Sequence, residues 1–352
     1  VFKMSDFFSI NKKKPKVAES SVLKSNQNLP WVEKYRPKTI DDVAYQEEVV
    51  NVLRSTITGN NFPNLLFYGR PGTGKTSTIL AVCKQLFGHD LYKSRVLELN
   101  ASDERGIQVI REKVKNFASQ SVSSFKVDGT PCPPFKVVIL DEADSMTTSA
   151  QAALRRTMER QTKTTRFCLI CNYVSRIIEP ITSRCAKFRF KELSSNAIYE
   201  QLKYISRMEA VKIEEEALEQ LIESSDGDMR KAITYLQSAH RLKLGEIILA
   251  NDIFEMTGKV PKVMVADIMK ACSSGSFEKL DKQVKLMMTG GYSASQLITQ
   301  LHDEIISLLT INDKQKSIIL EKLAIVEKCL CDGADEYLQI MAIGTVIMES
   351  VR

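Results

Sequence analysis

Eight consecutive residues, Gly69-Arg70-Pro71-Gly72-Thr73-Gly74-Lys75-Thr76, combine three glycines with a lysine and a threonine. Glycines at this spacing let the backbone curl until successive N–H groups point at one anion, and the lysine and hydroxyl complete a cradle for polyphosphate oxygens. The apolar run LLFY precedes the loop and a helical pattern opens behind it near Ser77. That order turns a helix N-terminus on the same anion. Further on, the apolar run from Val137 to Leu140 delivers Asp141 and Glu142 at its end, where open parallel sheets bind their ligands. Thr76 and Asp141 suit a Mg²⁺ ion held against phosphate. Glu142, one residue on and facing differently, suits orienting or deprotonating a water. Together these residues point to Mg-ATP hydrolysis.

The elements that must hold them follow from periodicity. Short apolar runs at 65–68, 96–99, 137–140, 167–171 and 187–190 alternate with helical stretches, which predicts βα units and a parallel five-stranded sheet with helices on both faces. The Ser-, Gly- and Pro-rich loop at 119–134 only punctuates this domain. After Leu193 helices take over: 196–209, 214–224 and 228–242 carry apolar residues at three-to-four spacing, with Ile198, Leu202 and Ile205 as one stripe. Beyond Pro261 four or five more helices follow, parted by SSGS, TGGYS, TIND and DGAD. The expected division is a basic, disordered tail over 1–29, an α/β nucleotide-binding domain over 30–192, a helical lid over 193–259 and an all-α domain over 260–352.

Composition sets the limits. The 352 residues, 43% hydrophobic and 26% charged, exclude a fibrous or disordered chain. No run reaches the ~18 apolar residues of a membrane span, and the first thirty residues lack an apolar leader, so an intracellular, soluble protein is expected. Eight cysteines do not suggest a disulfide scaffold. Cys168 and Cys171, like Cys329 and Cys331, read as buried structural thiols, and the scattered His89, His240 and His302 as no metal site. The net charge of +6 belongs mostly to the tail, where six lysines face Asp6 and Glu19, leaving +2 for the rest. Lys12, Lys13, Lys14 and Lys16 fit a nuclear import signal and a solvated tail equally. The weak likeness of residues 4–8 to clamp-docking peptides is set aside as noise.

Further strings narrow the type: WVEKYRPK (31–38), ELNASDERG (98–106), DEADSM (141–146), LRRTME (154–159), Asn172 at a strand end, SRC (183–185) and GDMRKA (227–232). Their order closely resembles the small subunits of replication factor C, the eukaryotic sliding-clamp loader of the AAA+ superfamily, from Trp31 into the C-terminal helices. The resemblance implies an AAA+ domain, a helical lid and a helical collar that joins subunits. It implies a hetero-pentamer in the nucleus that uses ATP and Mg²⁺ to open a sliding clamp and load it on primer-template DNA. It implies that Asn172 positions the attacking water, that Arg184 is an arginine finger reaching the neighbour's ATP, and that Arg230 reads the γ-phosphate on its own subunit. Val32 and Arg36 fall in the segment lining the adenine side, beside Gly69 to Ser77. Family loops commonly read GPPGTGKT, so Arg70 departs by adding a cation and a looser turn.

The same resemblance asks for basic groups facing DNA phosphates. Arg105, Arg111, Lys115 and Arg176 are the candidates, with Arg155 and Arg156 flanking a third helix; the bland alternative is salt-bridged, solvated helix faces. Phosphate contacts imply binding without sequence readout and with strong salt dependence. Collar stripes such as Ile318, Ile319 and Leu323 fit a partner surface. Two competitors remain: an RNA helicase, because residues 141–144 spell DEAD, which lacks its second domain here, and a subunit that binds ATP without hydrolysing it.

Overall fold

The computed structural model describes residues 29–40, 42–43, 46–58, 62–102, 110–120, 132–243, 245–308 and 311–351. The described residues form two compact units, those within 29–201 together with 227–237, and those within 202–226 together with 238–351.

The first unit is built on a five-stranded sheet. After α1 (Trp31–Lys34) and α2 (Glu47–Thr58), strand β1 (Leu65–Tyr68) leads through the glycine loop into α3 (Lys75–Arg95) and β2 (Val96–Asn100). A π turn over Ile110–Val114 runs into α4 (Lys115–Ser119), then β3 (Lys136–Asp141), α5 (Thr148–Arg160), β4 (Thr165–Cys171), α6 (Glu179–Thr182) and β5 (Ala186–Arg189). The order across the sheet is β2-β3-β4-β1-β5, all parallel. Alternating side chains feed two cores. Leu65, Phe67, Val137, Ile139, Cys168 and Ile170 pack with α2 and α3, whereas Leu66, Val138, Leu140, Phe167 and Leu169 pack with α5. Such near-continuous apolar strands are what a sheet covered on both faces requires.

Strand boundaries differ from expectation where charge hides burial. Lys136 opens β3 and is only 2% exposed. Its ammonium donates to the Phe117 carbonyl at 2.8 Å and to Gln120 Oε1 at 3.1 Å, and lies over the Phe117 ring. Strand β5 starts and ends one residue earlier than expected, yet the Phe190 N–H still donates to the Tyr68 carbonyl at 2.8 Å. Lys187 and Arg189 project outward from this edge strand, charges that discourage edge-to-edge pairing. Helix α3 is broken at Gly88, where φ is +67°. In the helix expected over 106–118, residues 106–109 and the Ile110 side chain lie outside the described residues; Val114 is buried.

Helix α7 (Ser195–Met208) and helix α9 (Met229–Lys243) are shared between the two units, with α8 (Glu215–Ser225) between them. The Ile198, Leu202, Ile205 stripe is buried. Helix α10 (Ala250–Thr257) adds an element that the periodicity does not predict. Its first turn is closed by Asp252 accepting from the Leu249 N–H at 2.9 Å, and a leucine gives no capping signal.

Five helices follow: α11 (Lys262–Ser273), α12 (Phe277–Thr289), α13 (Ala294–Ser307), α14 (Asp313–Cys331) and α15 (Glu336–Val351). Ser293 caps α13, and Asn312 with Gln315 caps α14. The stripe read as a partner surface is corrected here: Ile319 and Leu323 are 0% and 3% exposed inside the bundle's own core, and only Ile318, at 47%, faces solvent. A stripe one helix face wide contains both a core side and a rim, and i, i+1 neighbours fall on different sides. The thiols divide likewise. Cys168 and Cys171 are buried, but Cys329 is half-buried and Cys331 exposed. Among the described residues no helix is long and apolar enough to cross a membrane.

Candidate functional site

Three adjacent strands, β3, β4 and β1, end side by side and carry the expected chemistry on their C-terminal ends. After β1 the loop turns on Gly69, Gly72 and Gly74, all with positive φ. A Cβ at Gly69 would lie 2.3 Å from the Phe190 carbonyl oxygen, and one at Gly72 1.8 Å from Asp228 Oδ1. Glycine is therefore demanded by backbone angle and by space. Thr73 Oγ1 closes the loop on the Arg70 carbonyl at 2.9 Å. Gly74 stands at the start of α3, and its carbonyl accepts from Thr78 N–H at 2.9 Å.

Lys75 is 7% exposed. Its ammonium donates to the carbonyls of Gly69 and Arg70, each at 2.7 Å, and to Asn172 Oδ1 at 3.1 Å. Burial pushes its pKa below 10.5; Asp141 opposes that shift and Arg230 adds to it. Thr76 Oγ1 donates to Asp141 Oδ2 at 2.8 Å. Glu142 follows with a left-handed backbone, φ 52°, its N–H on Asp141 Oδ1 at 2.9 Å and its side chain exposed. An acid free to face solvent beside the loop can address a water there.

A cleft of about 750 Å³, open to solvent, lies beside the loop and is lined by Val32, Arg36, Gly72, Ser77, Arg230 and Ile233 among others. The N-terminal segment reaches it because the Trp31 N–H donates to Gln237 Oε1 at 3.1 Å, tying α1 to α9. Arg36 pairs with Glu33 at 2.9 Å. Arg230 follows Asp228, whose Oδ1 accepts from the Arg230 and Lys231 N–H groups at 2.7 and 3.3 Å. Tyr35, Asp42, Leu193, Gln201 and Met229 also line the cleft. Tyr35 and Met229 sit inside the strings WVEKYRPK and GDMRKA, and Asp228 is an aspartate just before a helix, but no local pattern announces Asp42, Leu193 or Gln201.

Arg184 has other partners. Its guanidinium donates to the Pro180 carbonyl at 2.6 Å and pairs with Glu159 at 2.8 Å. Arg155 shares that carboxylate at 3.0 Å, and the two cations hold Glu159 below the usual carboxylate range, Arg155 foremost. Arg70 makes an exposed pair with Glu192 at 3.0 Å. Of the DNA candidates, Lys115 and Arg176 are exposed, the latter over the Tyr173 ring. Arg105 and the side chain of Arg111 lie outside the described residues.

Three family models match successive stretches: "ATPase family associated with various cellular activities (AAA)" over 65–193, "RCF1/5-like, AAA+ ATPase lid domain" over 200–241, and "Replication factor C C-terminal domain" over 260–344. The chain is 59% identical to human "Replication factor C subunit 4" over 93% of its own length and 90% of that protein's. It is 47% identical to "Replication factor C subunit 2" of Saccharomyces cerevisiae, covering 96% and 98%. The chain belongs to the replication factor C family. The relatives just named are the subunits numbered fourth in human and second in budding yeast. An archaeal replication factor C small subunit, from Archaeoglobus fulgidus, is 45% identical over 89% of this chain and 95% of that one. As a replication factor C subunit the chain carries a nucleotide-binding AAA ATPase domain. A solved structure of a RuvB variant from Thermotoga maritima matches 67% of this chain and 78% of its own with a TM-score of 0.51 at 17% identity, a likeness of fold alone.

Proposed function

We propose that the cleft binds and hydrolyses ATP, and that the site is completed by a guanidinium from a neighbouring subunit. The chain is an ATPase subunit of the hetero-oligomeric clamp loader that places a sliding clamp on primer-template DNA. In our reading Gly69 to Ser77 wrap the phosphates, Lys75 exchanges its loop carbonyls for β- and γ-phosphate oxygens, and Arg230 reads the γ-phosphate. Val32 and Arg36 flank the base. Glu142 and Asn172 fix the attacking water. The Thr76 and Asp141 oxygens, 2.8 Å apart, suit Mg²⁺, a hard cation that takes one or two protein oxygens and completes its shell with phosphate and water. A Mg²⁺ ion held by Thr76 and Asp141 would supply charge to offset that of the phosphates.

The observation that carries this reading is a set of four residues joined by two hydrogen bonds, Lys75 to Asn172 and Thr76 to Asp141, at three neighbouring strand ends. Arg184 lies outside that set, which supports a role on another subunit's nucleotide. A finger supplied in trans, worth ~10³–10⁵ in rate elsewhere, makes turnover conditional on assembly. Lys115 and Arg176, with Arg105 and Arg111, are proposed to meet DNA phosphates. The basic tail and the family's place in replication support a nuclear protein.

Exchange of Glu142→Gln is expected to leave ATP binding intact and abolish turnover at this subunit's site in the assembled loader. Arg184→Ala should instead silence the neighbouring site. An isolated chain that hydrolyses ATP at the rate of the complex would overturn the shared site.

A further inference from the structure

The β3–β4 ladder stops at the pair Leu140↔Leu169, three residues short of Asn172. Glu142 and Asn172, which must address one water, therefore sit beyond the last backbone pairing of their strands. One side chain spans the gap. Asp144 Oδ2 accepts from the N–H of Asn172 at 3.1 Å and from that of Tyr173 at 3.2 Å. Asp144 is itself fixed to Glu142 by a tight 3₁₀ turn, Ala143–Ser145. Ser145 closes that turn, its N–H on the Glu142 carbonyl at 2.9 Å and its hydroxyl at 2.8 Å. The turn's other end is held by Asp141 Oδ1 on the Glu142 N–H.

We infer that Asp144 is a positioning residue for hydrolysis, the strut that sets Asn172 at a fixed place relative to Glu142. The inference rests on the reading of Asn172 as a water-positioning group. Bonds from two N–H donors to one carboxylate oxygen are charge-assisted and stronger than neutral ones. They hold the backbone of residue 172 while its side chain, engaged by Lys75 at Oδ1, is left to follow the nucleotide. Losing the strut would let Asn172 drift. A misplacement of about 1 Å can cost about a hundredfold in rate with little effect on binding. A simple cap on two orphan N–H groups would affect stability and leave the relation between turnover and ATP affinity unchanged.

The test uses the assembled loader, with the other subunits carrying the Glu→Gln exchange at their own acidic turn so that only this site turns over. Asp144→Ala is expected to lower turnover about ten-fold or more, with the ATP dissociation constant altered less than about two-fold. Asp144→Asn keeps an acceptor oxygen and should recover to within about three-fold of the unaltered loader. Asp144→Ala combined with Asn172→Ala should be no slower than Asn172→Ala alone, because both remove one device. Multiplying losses, an asparagine variant no better than alanine, or a loss confined to ATP affinity would each overturn the role. Should the alanine chain fail to assemble, Asp144→Glu decides: it keeps the charge but displaces the oxygen by a methylene, so slowed turnover supports the strut and unaltered turnover overturns it. If Asn172→Ala itself turns over normally, the reading of Asn172 falls first; if only Asn172→Ala is slow, the strut alone falls.

Discussion

Lys75 shows how much one side chain must satisfy before a nucleotide arrives. Its ammonium is nearly buried, with two loop carbonyls and the Asn172 oxygen as its partners. Burial lowers its pKa from 10.5, so over the interval below that value the unfolded chain holds the extra proton. Folding stability from this group therefore rises with pH there, while affinity for ATP falls as the ammonium is lost. Nucleotide titrations across alkaline pH should show binding weakening with a midpoint below 10.5; a midpoint at the ordinary lysine value would mean that no desolvation is felt. The loop, Asp141 and Glu142 are legible as candidates in the sequence because each sits in a short string with its own strand, whereas Asn172 enters only through the family resemblance. Glu159 was not legible as a partner for Arg184, nor Asp228 as a neighbour of Gly72, since those contacts join separate segments that only folding brings together.

At the level of elements, the phosphate loop tolerates no Cβ where it meets α9. Gly72→Ala would face the Asp228 carboxylate at 1.8 Å with φ at +69°. ATP affinity is expected to fall at least about ten-fold, measured by calorimetry, together with a loss of stability of about 1–3 kcal/mol from the strained backbone. The C-terminal bundle separates core from rim in the same testable way. Leu323→Ala should cost about 2–5 kcal/mol in chemical denaturation. Ile318→Ser should stay within about 0.5 kcal/mol for the free chain and show its effect on assembly with partner subunits. Equal losses in both would contradict the burial that divides them. Period-2 and period-3.6 patterns gave the elements to within a residue or two. They failed at Lys136, where a charged residue is buried by virtue of its hydrogen bonds, and at α10, whose cap is built by a residue three positions inside the helix.

For the whole molecule, charge and thiols make separate predictions. With most of the net +6 in the tail, DNA affinity is expected to come from a local set of cations and to fall steeply with salt. A flat salt profile would remove phosphate contacts from consideration. Of the eight free cysteines, exposed Cys331 should react first with a maleimide. Burial pushes Cys171 to about 12 and Cys185 to about 11, so both stay protonated at neutral pH and should label far more slowly, as should Cys83 and Cys168. Mass spectrometry after a short pulse reads the order directly. The lid expected over 193–259 contains residues 227–237, which pack with the first unit, a grouping that no linear pattern could reveal. The resting partner of Arg184 carries a last consequence. In the proposed role, a guanidinium leaving Glu159 for a phosphate would trade one anion for another, and on withdrawal a carboxylate would stand ready to take it back. Such a trigger would re-arm itself, and the subunit could pass through round after round of engagement with nothing to rebuild in between.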